Sequence, residues 1–110
     1  MKFNPLGGGA NMNQMMKQAK KLQEEITKKQ SELQETILET SVGGGAITIK
    51  INGRQQFQEI IIKPEVIDPE DVEMLQDLIL AAVNEAVKQS QDMVSSEMAK
   101  LTGGFNIPGL

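Results

Sequence analysis

Four lysines, Lys17, Lys20, Lys21 and Lys28, crowd into one short stretch of this chain. An ammonium group is a compact point charge suited to phosphate oxygens, so this cluster is the first candidate for a phosphate-binding surface. Arg54 is the single arginine and follows an Asn-Gly pair. It reads either as a further phosphate contact or as decoration of a turn. Lys2 could add a looser contact. Asn11, Asn13, Gln14 and Gln18 could reach sugars or base edges, or could simply hydrate a helix surface. The lysines also have a plainer reading. Lys20 and Glu24, Lys21 and Glu25, and Lys28 and Glu32 are each four residues apart. On a helix these are ordinary stabilising pairs, though with lysine first, the less favourable order.

Other chemistries are short of parts. The sequence contains no histidine, cysteine, tyrosine or tryptophan. The commonest general base, the commonest zinc ligand, thiolate nucleophiles and disulfides are therefore absent. No nucleophile motif or acid–base pair stands out, so catalysis is not expected. Glu70, Asp71, Glu73, Asp77, Glu85 and Asp92 follow no calcium-loop spacing and have no histidine beside them. They read as a solvated helix face, with the first of them complementing a helix dipole. Gly7-Gly8-Gly9 and Gly43-Gly44-Gly45 lack the frames of phosphate-binding loops. Neither a metal nor a cofactor is expected, nor a small-molecule substrate.

The formal net charge is −4, which counts against binding a polyanion, but the distribution is uneven. Residues 1–63 carry nine basic and six acidic groups, whereas residues 64–110 carry two basic and nine acidic ones. The acidic half would repel a polyanion and so orient the protein on it. No apolar run approaches the roughly 20 residues of a membrane span. The opening MKFNPLGGGANM does not resemble a secretory signal. A cytoplasmic location without membrane association is expected.

The elements that must position the lysines follow from periodicity. Residues 1–10 are rich in glycine and read as flexible. From Asn11 or Met12, the residues Met12, Met15, Ala19, Leu22, Ile26 and Leu33 follow an a/d heptad, with Lys29 at the one missing position. This predicts a helix to about Glu35, with the lysines flanking its apolar seam. Met12, Met15 and Met16 read as seam packing or as an adaptable binding surface. Ile37 to Val42 reads as a strand, the triple glycine as a break, and Ala46 to Ile51 as a second strand with Ile47, Ile49 and Ile51 on one face. Asn52-Gly53 predicts a type I′ hairpin, and Gln56 to Lys63 a third strand. Pro64 closes the sheet. Asp68 reads as a helix cap and Pro69 as the first helical residue, with the helix running to about Leu101 before Gly103-Gly104. Residues 104–110 read as loose.

The resulting order is α-β-β-β-α, an α+β fold with a three-stranded antiparallel sheet in one domain spanning 1–110. The helices, roughly 36 and 50 Å long at ~1.5 Å per residue, overhang strands of about 20–25 Å. Their apolar stripes need another partner where they overhang. A second copy is the simplest one, so a two-fold homodimer is expected.

Four segments also resemble the YbaB/EbfC family of bacterial nucleoid-associated DNA-binding proteins. They are NMNQMMKQAKKLQEEI, GGGAITIKINGR, KPEVIDPEDVEMLQDLILAAVNEA and EMAKLTGGFNIPGL, which together span nearly the whole chain in order. The resemblance implies a homodimer whose long helices project like tweezers. It implies binding of double-stranded DNA with little or relaxed sequence preference, at the nucleoid in the cytoplasm. Lys17, Lys20, Lys21, Lys28 and Arg54 are then the DNA-binding candidates. The acidic second half and the single arginine leave open a protein-interaction module whose helical arms grip another, unidentified protein.

Overall fold

A computed structural model describes the backbone of residues 5–102 and the side chains of residues 12–102. Lys2, the Gly103-Gly104 stop, the tail and the side chain of Asn11 lie outside the described residues. The element order is α1 (Pro5–Glu35), β1 (Ile37–Val42), β2 (Ile47–Asn52), β3 (Phe57–Ile62), a short 3-10 turn (Pro64–Val66) and α2 (Val72–Thr102). The sheet is an antiparallel meander in the order β1-β2-β3. The α-β-β-β-α order expected from the sequence is the one observed.

Alternation builds the core. On β2, Ile47, Ile49 and Ile51 are almost completely buried, while Thr48 and Lys50 between them are only half covered. The three isoleucines pack against Ala82 and Ala86 of α2, both fully buried. Two alanines on one helical face let the helix backbone come close to the sheet. Leu38 and Val42 of β1, Ile62 of β3 and Leu75, Leu78, Ile79, Val83 and Val87 of α2 complete the cluster. Helix α2 lies across β1 and β2. Strand β3 is left at the open edge, and five of its six residues are exposed.

Two helix starts differ from expectation. Helix α1 begins at Pro5 rather than at Asn11 or Met12, and so takes in the glycine run. Proline suits a first helical position because its missing N–H has no partner there anyway. Helix α2 begins at Val72, and its cap is Asp71, not Asp68: the Asp71 Oδ1 accepts the Met74 N–H at 3.2 Å. Asp68 instead closes a separate turn. Its carbonyl accepts Asp71 N–H, its Oδ1 accepts Glu70 N–H, and Pro69 takes the second turn position that its fixed φ favours.

The hairpins are also exchanged. Positive φ at both central positions, the requirement of a primed turn, occurs at Gly43 and Gly44, with φ of 62° and 67°. At the β2–β3 connection the type I′ expectation fails. Gln55 N–H donates to the Asn52 carbonyl, so Gly53 and Arg54 are the central residues. Neither has positive φ; the left-handed residue is Gln55, at 60°. This is the longer hairpin that pairs a type I turn with a left-handed third residue. The Asn52 Oδ1 holds it by accepting the N–H groups of Arg54 and Gln56 at 2.9 and 3.0 Å. Gly53 is needed for another reason: a Cβ there would overlap the Leu33 carbonyl oxygen at the end of α1.

Candidate nucleic-acid interface

Helix α1 turns into β1 through a single residue, Thr36, whose Oγ1 donates to the Glu32 carbonyl at 2.8 Å. The C-terminal half of α1 packs on α2, with Leu33 buried and Leu22 and Ile26 partly buried. The other half projects. Every residue from 12 to 21 is exposed, and the molecule extends 86 Å along its longest axis.

The lysine candidates sit on this arm. At about 100° per residue, Lys17, Lys21 and Lys28 fall within roughly 40° of arc, and Lys20 lies about 60° to one side. All four are exposed. The first three lie across the helix from the Leu22-Ile26-Leu33 stripe rather than beside it. Among the described residues, none of the four comes within ion-pair distance of a carboxylate, and the expected pairs with Glu24, Glu25 and Glu32 are not formed. In contrast, Lys29 meets Glu97 at 3.3 Å, Lys50 meets Glu59 at 3.5 Å, Lys88 meets Asp92 at 3.4 Å and Lys100 meets Glu97 at 2.9 Å. Lys29, the charged residue in the apolar heptad, is thus the one that α1 uses to reach α2.

Arg54 does not join the lysine face. It borders a pocket with Gln30, Gln34, Leu33, Gly53 and Val94, where the hairpin meets the two helices. Gln30 and Gln34 are roughly 100–140° around α1 from Lys17. The structure therefore brings Lys17, Lys21 and Lys28 together, places Lys20 at their margin, and sets Arg54 apart. Asn13, Gln14 and Gln18 are exposed on the same arm.

A polar lock behind this surface was not anticipated from the sequence. Ser90 is fully buried and donates to the Asn52 carbonyl at 2.7 Å. Gln55 Nε2 lies 3.1 Å from both Ser90 Oγ and the Gly53 carbonyl. Nearby, Thr40 Oγ1 donates to Gln89 Oε1 at 2.7 Å, and Gln89 Nε2 donates to Glu85 Oε2 at 3.0 Å. The Ser90 and Gln55 contacts fix the hairpin on α2 and, through Gly53 and Leu33, the root of the arm, while the Thr40–Gln89 bond ties β1 to α2. The available signal was the spacing of Ala82, Ala86 and Ser90, which puts a serine on the buried helical face.

A second surface is apolar. Phe57 and Ile60 of β3 are each 49% exposed and form a groove with Ile49 and Val83. Leu80 on α2 is 60% exposed. The outer edge of β3 has no neighbouring strand.

The model of the YbaB/EbfC DNA-binding family matches residues 8–105. The chain belongs to the YbaB/EbfC DNA-binding family. A nucleoid-associated protein of Alkaliphilus metalliredigens is 59% identical over 108 residues, covering 98% of this chain and 95% of that protein. One of Clostridium kluyveri is 55% identical over the same shares. The fold is also similar to the crystal structure of an uncharacterized protein from Helicobacter pylori, with a TM-score of 0.54 and 22% identity over 80% of this chain and 95% of that one.

In this YbaB/EbfC chain nine of the fifteen acids lie between Glu65 and Glu97, on α2 and the turns before it. Asp68, Glu70, Asp71 and Glu73 gather at the positive end of the helix. Hydrogen bonds from Lys100 and Lys29 hold the Glu97 carboxyl below its ordinary value of 4.5. Among the described residues no group of three or more acids could hold a metal ion, and no helix is long and apolar enough to cross a membrane.

Proposed function

We propose that this chain is a single-domain, non-catalytic protein that binds double-stranded DNA as a homodimer at the nucleoid, in the cytoplasm, with little sequence preference. The observation that carries this reading is the exposed arm of α1, where Lys17, Lys20, Lys21 and Lys28 have no carboxylate partner among the described residues. An unpaired ammonium group in water is free to replace the counterions of a phosphate backbone. Phosphate contacts position a protein without reading bases, which accounts for relaxed preference. Arg54 serves as an outlying contact in this reading. The relatives' name as nucleoid-associated proteins supports the same assignment.

The second copy has a natural seat. An edge strand with exposed Phe57 and Ile60 presents open backbone groups beside apolar surface, and pairing with its own copy removes both from water. The dimer would carry two lysine arms related by the two-fold axis. Sedimentation at micromolar concentration is expected to show twice the 12.0 kDa mass of one chain, and Ile60→Lys to return it to one.

Fluorescence anisotropy with an unrelated duplex of about 30 base pairs tests the DNA reading. Micromolar binding is expected, falling by a hundredfold or more between about 50 and 200 mM salt. Lys20→Glu with Lys21→Glu should abolish it. Binding that ignores both salt and this double substitution would overturn the lysine assignment. Absence of binding at low salt would favour arms that grip a protein partner.

A further inference from the structure

We propose that the segment from Gly103 to Leu110 folds back along α1 of its own chain and covers the apolar stripe at Ala19, Met15 and Met12. The proposal is independent of the DNA reading, because this stripe lies across α1 from Lys17, Lys21 and Lys28.

At about 100° per residue, Met12, Met15, Ala19, Leu22, Ile26 and Leu33 fall within roughly 80° of arc, with Met15 in line with Leu33. Cover on the stripe fades in one direction. Leu33 is buried and Ile26 and Leu22 are half-buried, whereas among the described residues Met15 and Met12 are 65% and 62% exposed. Helix α2 supplies the cover. Leu33 shares a pocket with Val94 and Lys29 meets Glu97, so the two helices run antiparallel. Thr102, the last described residue of α2, is therefore level with Glu24 or Glu25 of α1. The stripe continues beyond that level, on the side of α1 from which the chain leaves α2.

The residues that follow suit the stripe in chemistry and in length. They read GGFNIPGL, with no charged side chain and with Phe105, Ile107 and Leu110 among them. Gly103 and Gly104 permit a sharp change of direction where the chain must turn back. From the level of Thr102, Met12 lies about 18–20 Å along α1 at ~1.5 Å per residue. Eight extended residues span up to about 26–29 Å, which leaves slack for the turn. A second helix fits the stripe less well. Helix α2 already holds it from Ile26 to Leu33, and the remainder is about one heptad, whereas coiled-coil pairing is sustained over about three or more. A tethered segment also acts at an effective concentration on the order of millimolar. A membrane surface calls for a broader apolar face with aromatic residues or leucines. Once covered, the arm gains the packing that gives helices most of their stability.

Hydrogen exchange on the full chain tests this. Phe105→Gln with Ile107→Gln and Leu110→Gln should speed exchange of the amides from Met12 to Lys21 by about tenfold, roughly what loss of one buried methionine side chain corresponds to. Met12→Gln with Met15→Gln should do the same, and glutamine is close to methionine in helix propensity. The two sets combined should be no faster than either alone, since both remove one contact. Met16→Gln, about 100° around the helix from Met15, should change nothing. The chain has no cysteine, so Met15→Cys can be paired in turn with Phe105→Cys, Ile107→Cys and Leu110→Cys. Mild oxidation should link at least one pair within a single chain of 12.0 kDa. Segment substitutions that leave exchange unchanged, or additive effects of the two sets, overturn the proposal. Links formed only between chains, or protection that depends on the methionines alone and rises with protein concentration, assign the stripe to a second copy and overturn it. Protection that appears only with phosphatidylglycerol vesicles assigns it to a membrane surface and overturns it as well.

Discussion

The two ends of α1 are built on opposite principles. Around Leu33 the helix is held by buried contacts: its carbonyl lies against Gly53, whose hairpin is tied to Ser90 of α2. From residue 12 to 21 every side chain is exposed, and among the described residues the lysines there have no carboxylate within ion-pair distance. Substitutions at the root should therefore act on stability, and substitutions on the arm on binding. A helix that loses its packing half way along also loses the main source of helical stability, so the arm relies on propensity and on whatever it binds.

The sharpest way to break this contrast is Gly53→Ala. Its Cβ would force the Leu33 carbonyl away, so a loss of about 3 kcal/mol in denaturant unfolding is expected. Ser90→Ala should come next, at about 1–3 kcal/mol, because it removes a fully buried hydroxyl from the Asn52 carbonyl and from Gln55. On the arm, Lys20→Glu with Lys21→Glu should change unfolding by about 0.5 kcal/mol or less while abolishing DNA binding. A large stability loss in that variant would show that the arm is structural after all.

The smallest effect concerns Glu97. Its carboxyl is held below 4.5 by Lys100 and Lys29, so its folded value lies under its unfolded one. Such a group contributes stability above its unfolded value and loses the contribution as pH falls through the folded one. Comparing wild type with Glu97→Gln, the difference in thermal midpoint should be small and level near neutrality and should vanish below the ordinary carboxylate range. The effect is modest because Lys100 is exposed and Lys29 and Glu97 are still partly open to solvent, which screens the pairs.

Much of the fold was legible because its signals are local. The alternation of Ile47, Ile49 and Ile51 names one face of one strand, and the heptad from Met12 to Leu33 names one face of one helix. What was misread depends on choices between equivalent local options. Asp68 and Asp71 can each cap a helix, and the turn that Pro69 favours decides in favour of Asp71. Asn52-Gly53 suits a primed turn, yet the close approach of α1 to Gly53 and the hold of the Asn52 side chain go with another hairpin. Lysine and glutamate four residues apart permit a pair without imposing one, and an exposed helix has little to gain from it. Lys29 illustrates the remaining difficulty: its partner, Glu97, lies on the other helix, far along the chain.

The joint between α1 and β1 has a mechanical consequence. Thr36 is the only residue between a long rigid rod and the sheet. From Glu35 to Met12 the rod measures about 35 Å, so a rotation of roughly 5° at the joint displaces its tip by about 3 Å. The contact between Gly53 and the Leu33 carbonyl lies beside this pivot and acts as its stop. In the dimer proposed above, a lever of this kind would let a small adjustment at the sheet set the gap between the two arms, so that the span they straddle would be decided far from where they touch anything.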